Sequence, residues 1–311
     1  MKSKKIKVFA PATVSNVGPG FDLMGFAIHG IGDEIELSIS KNNFIQIKKI
    51  IGDNNRLPYD TNKNTATVSI LSLFKSHQIK VGLDIIIRKK MGIGSGLGSS
   101  SASAVAGVFA VDKLLGLNLP KQELLSHALA GELIASKSIH ADNIAPCLYG
   151  GFILIRSYNP IDIVQIDFPK NLFCSILYPE IEIKTSEARK ILDKKVDRSV
   201  AISQAGNASA LIVGLIKKDF QLISRSMEDF IAEPKRAVLI PCYNEVRNAA
   251  LNSGALNCNI SGSGPSMFSF STSEKDALRI VSAMKTAAFK KGIKSKTFVS
   301  MINDDGPSVI K

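Results

Sequence analysis

The chain has 311 residues, 45% of them hydrophobic, with 23 glycines and 12 prolines. That is enough apolar material for a full core and enough length for two domains, and the glycine and proline usage is too ordinary for a disordered or collagen-like chain. Its 39 basic and 27 acidic residues give a formal charge of +12. The lysines are scattered, tryptophan is absent, and aromatics do not interleave with basic residues. The charge therefore reads as a field that attracts anionic nucleotides, with no nucleic acid as partner. The apolar stretch after the basic N-terminus stops at Pro11, and no run approaches the roughly 18 to 20 apolar residues of a membrane span, so no membrane partner is expected. Cys147, Cys174, Cys242 and Cys258 lack CxxC spacing, which argues against zinc or a disulfide framework and for a cytoplasmic location.

Lys5 to Ala10 reads as a strand. Pro11 to Gly25 follows, where Gly18-Pro19-Gly20 forces a turn with Asn16 and Asp22 on either side. Glu34 to Ile39 and Phe44 to Ile47 alternate apolar and polar residues, which predicts antiparallel, half-exposed strands. Asn64 to His77 has helical spacing, and Val81 to Arg88 is a β-branched run. Helices are predicted over Ser99 to Leu115 and Lys121 to Ala135, and Gly150-Gly151 breaks the pattern. Strands near 151–157, 161–168 and 172–178 precede helices near 186–193, 199–217 and 219–230. The tail reads helix 244–253, strand 255–260, a glycine turn, strand 266–271, helix 274–290 and strand 294–301, which suggests a split βαβ unit.

Between the strand ending at Arg88 and the helix starting at Ser99 lies Gly94-Ser95-Gly96-Leu97-Gly98-Ser99-Ser100-Ser101. Three glycines in five residues let the backbone turn tightly, and the following helix start presents unpaired N–H groups and the positive end of its dipole. Such a place holds phosphate. It is not a Walker loop, because no lysine follows the last glycine. A flexible linker of similar composition would not run directly into an apolar helix. Asn259 to Ser266 holds a third glycine turn, around Gly262 and Gly264, whose backbone donors could close over an anion.

In order and wording these segments resemble the signature motifs of the kinase superfamily named for galactokinase, homoserine kinase, mevalonate kinase and phosphomevalonate kinase. Pro11 to Gly25 is similar to its first motif, Gly94 to Ser101 to its phosphate loop, and Ser261 to Pro265 to its third motif. His140-Ala141-Asp142-Asn143-Ile144-Ala145-Pro146, with Gly150-Gly151-Phe152 behind it, resembles the substrate segment of the homoserine kinase branch. Relatives usually carry a proline where this chain has Gly92, which implies a less preorganised loop.

The resemblance covers nearly the whole chain and implies an α+β fold of two domains. These are an N-terminal mixed nucleotide-binding domain over residues 1–160 and a C-terminal ferredoxin-like, split βαβ domain over 161–311. It implies ATP and Mg²⁺, a homoserine hydroxyl as phosphoryl acceptor on the way to threonine, and a possible homodimer. A sibling acting on mevalonate or shikimate, and a basic nucleic-acid-binding protein, are the alternatives. By the same resemblance Gly94, Ser95, Gly96, Leu97, Gly98, Ser99, Ser100 and Ser101 bind the nucleotide, Asn64 and Lys89 lie toward its base, and Ser100 and Glu132 hold the metal. Arg189 and Arg236 match arginines suited to an α-carboxylate. Asp22 and Asp142 are candidates for the ammonium, Asn16 and Asn143 for neutral groups, and Gly262 for the substrate side of the third turn. Asp22, Asp142 and Asn143 are the candidate catalytic residues. His140 could also move a proton, but the resemblance does not put it beside the hydroxyl.

Overall fold

The computed structural model describes residues 4–136 and 140–311. Strands β1 (Lys5–Ser15) and β2 (Met24–Ile39) pair antiparallel, with a register shift between Pro11 and Thr13. Strand β3 (Ile45–Ile51) leads through helix α1 (Thr65–Ser76) to β4 (Leu83–Arg88). β4 lies antiparallel to β2 and parallel to β3, as a helical crossover requires. Helices α2 (Ser99–Leu115), α3 (Lys121–Ser136) and α4 (Ala141–Tyr149) follow, then the hairpin of β5 (Phe152–Tyr158) and β6 (Ile161–Ile166), with β5 on the edge of β2.

β1 and β2 are mostly buried rather than half exposed, because α2 and α4 pack against both strands and aromatic residues from the C-terminal half reach the sheet. Phe26 lies 5.8 Å from Phe268 and 5.3 Å from Phe270 between ring centroids. Helix α4 was hidden in the sequence by Pro146, which sits inside it. Proline cannot bond the carbonyl four residues back, and here that carbonyl, of Asp142, faces β2 at Gly25. A Cβ on Gly25 would stand 1.9 Å from the Asp142 oxygen.

The C-terminal unit has β7 (Phe173–Pro179), then α5 (Thr185–Lys190), α6 (Arg198–Lys217), α7 (Phe220–Arg225), α8 (Glu233–Arg236) and α9 (Tyr243–Asn252). It closes with β8 (Asn259–Ile260), β9 (Met267–Ser271), α10 (Glu274–Lys290) and β10 (Ser295–Met301). The strand order is β10-β7-β9-β8, all antiparallel, with α10 packed on β7, β9 and β10 and against α9. That is the ferredoxin-like split βαβ order.

Strand pairing does not divide the chain between residues 160 and 161. β6 extends the N-terminal sheet, and β11 (Ser308–Ile310) returns from the far end of the chain to pair with β1. Asn159 and Pro160 form the β5–β6 turn, and a hairpin turn has the same local signature as a linker. One helix among the described residues, α6, is long and apolar enough to cross a membrane by length and composition. It is anchored instead through Gln204, which donates to the Pro19 carbonyl and to Asp229, both at 2.9 Å.

Candidate active site

The four signature segments converge on one cavity of about 680 Å³, lined by residues from Ser15 in β1 to Gly262 and Ser263 of the third turn. Gly94, Gly96 and Gly98 all have positive φ, at 72°, 76° and 69°. Gly98 is the N-cap of α2 and makes no side-chain cap, so the N–H groups of Ser99 and Ser100 are left for another acceptor.

The glycines answer to their neighbours as much as to phosphate. A Cβ on Gly96 would meet the carbonyls of Ser261 and Gly264 at 2.5 and 2.7 Å, and one on Gly98 the Thr13 hydroxyl at 2.1 Å. The loop is tied to β1 by Thr13 N–H donating to Leu97 C=O at 3.1 Å. It is tied to the third turn by the Ser261 hydroxyl donating to Gly96 C=O at 2.7 Å. Leu97 itself is not in the cavity wall; its side chain is buried in the main core. Gly92 also has a local cause, since a Cβ there would stand 2.2 Å from the Tyr178 hydroxyl.

Asn64 and Lys89 both line the cavity. Asn64 caps α1, accepting from Ala66 N–H at 3.1 Å and donating to Pro58 C=O at 3.0 Å. The buried Lys89 ammonium directs its bonds to the Asp33 carboxylate, Ser99 C=O and the Ser103 hydroxyl, the last two at 2.7 Å. Its three donors are thereby used in tying the start of α2 to Asp33 of β2. Asp33, which also accepts from the Ser99 hydroxyl at 2.8 Å, was not legible in the sequence because it sits inside an alternating strand.

The donors present suit a magnesium ion. The Ser100 hydroxyl oxygen is buried without a hydrogen-bond partner, at the helix start where a phosphate would lie. The Glu132 carboxylate is buried in the same cavity wall. Glu132 accepts from the Ser101 hydroxyl at 3.3 Å and lies 3.2 Å from His140 Nδ1. A hydroxyl and a carboxylate are the hard oxygens Mg²⁺ takes beside phosphate and water. Burial opposes charge on His140, but Glu132 and Asp142 outweigh it and its pKa is raised.

The charged groups expected for the substrate line the same cavity. Asp142, on the first turn of α4, is 1% exposed and its Oδ1 has no partner. Burial, helped by the nearby Asp22 charge, raises its pKa to about 6. Arg189 of α5 donates to both oxygens of Asp22, at 3.0 and 3.1 Å, so an expected carboxylate ligand and an expected ammonium ligand are paired with each other. Arg236 of α8 is buried, donates to Gly262 C=O at 2.8 Å and lies 5.0 Å from the Phe21 ring centroid. Phe21 also underlies Arg189, at 5.9 Å; the sequence reading overlooked it although it sits inside the first motif.

The two asparagines are bound up in positioning. Asn16 accepts from Asp22 N–H at 2.8 Å and donates to Gly262 C=O at 2.9 Å, joining the first motif to the third. Asn143 donates to the Ser15 hydroxyl and accepts from the Thr13 hydroxyl, both at 2.8 Å.

Comparison with known proteins places the chain in a family. Residues 64–151 match the GHMP kinases N terminal domain, and residues 211–291 match GHMP kinases C terminal. The chain is 44% identical to a homoserine kinase of Chlorobaculum tepidum, over 99% of this chain and 98% of that protein. It is 38% identical to one of Pyrococcus abyssi, over 95% and 97%. The crystal structure of homoserine kinase from Cytophaga hutchinsonii superposes with a TM-score of 0.98 at 49% identity, covering 100% of this chain and 98% of that one. At 17% identity and a TM-score of 0.71, the L. major mevalonate kinase in complex with R-mevalonate shares the fold.

Proposed function

This chain belongs to the homoserine kinases of the GHMP kinase family, and from that we propose how its own residues divide the work of the reaction. The enzyme phosphorylates L-homoserine on its side-chain hydroxyl, with ATP as donor, yielding O-phospho-L-homoserine for threonine biosynthesis. The observation that carries the assignment of residues is the set Asp22, Asp142, Arg189 and Arg236 lining one cavity together with a positively polarised helix start. Two acids and two guanidinium groups complement a zwitterion, whereas mevalonate or shikimate has no ammonium to justify the acids.

The nucleotide phosphates lie along residues 94–101, held by the N–H groups at the start of α2. Ser100 and Glu132 hold Mg²⁺, which when bound neutralises charge on the transferring phosphoryl group. Arg189 and Arg236 bind the α-carboxylate, with Phe21 holding both guanidinium planes. The unpartnered Oδ1 of Asp142 receives the ammonium, and Asp22 joins it once Arg189 turns to the carboxylate. Asn16 joins the first-motif turn to the third, and Asn143 ties α4 to the Thr13 and Ser15 side chains of β1. No dedicated base is assigned, since in a loose transition state the hydroxyl proton can leave late.

The four cysteines are free and buried, which fits a reducing cytosol. Ile202, Val213 and Ile216 stand exposed along one side of α6, which supports a homodimer. A coupled assay of the purified protein with ATP and Mg²⁺ across homoserine, mevalonate, shikimate and no acceptor tests the function. Turnover with homoserine alone is expected; equal or faster turnover with mevalonate or shikimate overturns it.

A further inference from the structure

Helices α1 and α3 pack antiparallel. A Cβ on Gly131 of α3 would meet the carbonyl of Thr65, at the start of α1, at 2.5 Å. Further along, Ser72 of α1 meets His127 of α3, and His77, the C-cap of α1, meets Glu123 in the first turn of α3. Glu123 and His127 are four residues apart and so share a helix face. His77, Glu123 and His127 each offer a ligand atom, and these atoms all lie within 4.8 Å of one another.

His127 is the informative member. It is 8% exposed, its Nδ1 is 2.9 Å from the Ser72 hydroxyl, and its Nε2 is buried with no hydrogen-bond partner. A buried ring nitrogen without a partner costs stability. With Nδ1–H donating to Ser72, Nε2 carries the lone pair that a metal takes, and the hydroxyl is the orienting partner that metal-bound histidines commonly have.

We propose that His77, Glu123 and His127 form a site for a zinc-like divalent transition metal that clamps the end of α1 to the start of α3. Two imidazoles and one carboxylate, with water as the fourth ligand, are a donor set suited to Zn²⁺ and poor for Mg²⁺, which prefers an oxygen octahedron. Ligands on a tetrahedral Zn²⁺ at ~2.0 to 2.2 Å stand about 3.4 Å apart, so side-chain movements of about 1 Å, opening the His77–Glu123 hydrogen bond and drawing in the wider separations, form the site. It lies about 20 Å along α1 from Asn64 in the cavity wall, so the two metals do not compete. Cysteine spacing carries no sign of it, because the ligands are histidines and a carboxylate, and His77 stands 46 residues before Glu123 on a different helix.

The full-length enzyme, stripped with a chelator and held in excess Mg²⁺, is titrated with Zn²⁺ by calorimetry and with Co²⁺ by visible absorption. One equivalent of Zn²⁺ with micromolar or tighter affinity, a raised Tm and ligand-field bands of tetrahedral Co²⁺ are expected. His77→Gln and His127→Gln should each weaken Zn²⁺ by more than tenfold and abolish the bands, while leaving homoserine turnover unchanged. Ser72→Ala should weaken binding by about tenfold. His77 is at the surface, so its variant carries the test if His127→Gln does not fold. No saturable Zn²⁺ binding by the wild type below about 0.1 mM, or undiminished binding by folded His77→Gln, overturns the proposal.

Discussion

Arg189 on α5 and Asp22 in the first motif, 167 residues apart, form an ion pair in which one guanidinium nitrogen reaches both carboxylate oxygens. The two groups have side-chain exposures of 40% and 30%, so the pair contributes no more than about 1 kcal/mol to stability. On the proposed assignment the pair serves substrate exchange: a zwitterion would replace each partner with a group of the same sign, so neither charge would be left unpaired when homoserine enters.

Arg189→Ala should therefore leave Tm within a degree or two of wild type and ATP affinity unchanged, yet raise KM for homoserine about a hundredfold. Arg236 is buried and bonds Gly262 C=O, so Arg236→Ala should raise KM similarly and lower Tm as well. Lysine at either position should rescue only partly, since a point charge lacks the planar fork. Steady-state kinetics with thermal melts separate the two; wild-type KM in both alanine variants would remove the carboxylate assignment.

Asp142 supplies a pH dependence. Its pKa is raised to about 6 in the fold against an ordinary 3.8. The folded state thus binds more protons than the unfolded one between about pH 4 and 6, and the group's contribution to stability falls as pH rises through that window. An ammonium beside it favours the ionised form. Homoserine binding near pH 6 should release protons, seen as a dependence of calorimetric heat on buffer ionisation enthalpy, and KM should climb as pH drops below 6. Asp142→Asn should lose the proton release, bind homoserine poorly and be at least as stable as wild type at pH 8. Buffer-independent heats would contradict the assignment.

Glu132→Gln should lower kcat by orders of magnitude, because a neutral amide holds Mg²⁺ poorly and charge compensation is most of what phosphoryl transfer requires. The variant should remain folded, since the amide oxygen can still accept from one of Ser101 and His140 while its NH2 donates to the other. Circular dichroism beside a Mg²⁺ titration of activity checks this. Near-normal turnover in a folded variant would make Glu132 a buried structural acid.

Gly96→Val and Gly98→Val should abolish ATP binding, measured by equilibrium dialysis. They should also lower Tm, because their Cβ atoms collide with Ser261, Gly264 and Thr13 before any nucleotide arrives. Loss of binding with an unchanged melt would mean that phosphate access alone requires these glycines.

Gly92→Pro should destabilise this chain by driving the ring against Tyr178. Gly92→Pro combined with Tyr178→Ala should recover much of the lost Tm. A stabilised single variant would show that Tyr178 yields freely.

The sequence by itself determined the segments that bend and polarise: the Gly-Ser loop leading into α2, read to the residue as Ser99–Leu115, the first-motif turn, and the tail's alternation of helix and strand. These are local matters, since glycine conformation, helix starts and periodicity depend on neighbours in the chain. Only the tertiary structure decided which charges face each other. Lys89 pairs with Asp33, Asn16 is bound to Gly262, and Asp22 pairs with Arg189. The strand pairing of β6 and β11 across the expected domain boundary was likewise a tertiary result. A side chain's pairing and pKa depend on burial and on partners tens to hundreds of residues away, and spacing along the chain carries no record of either.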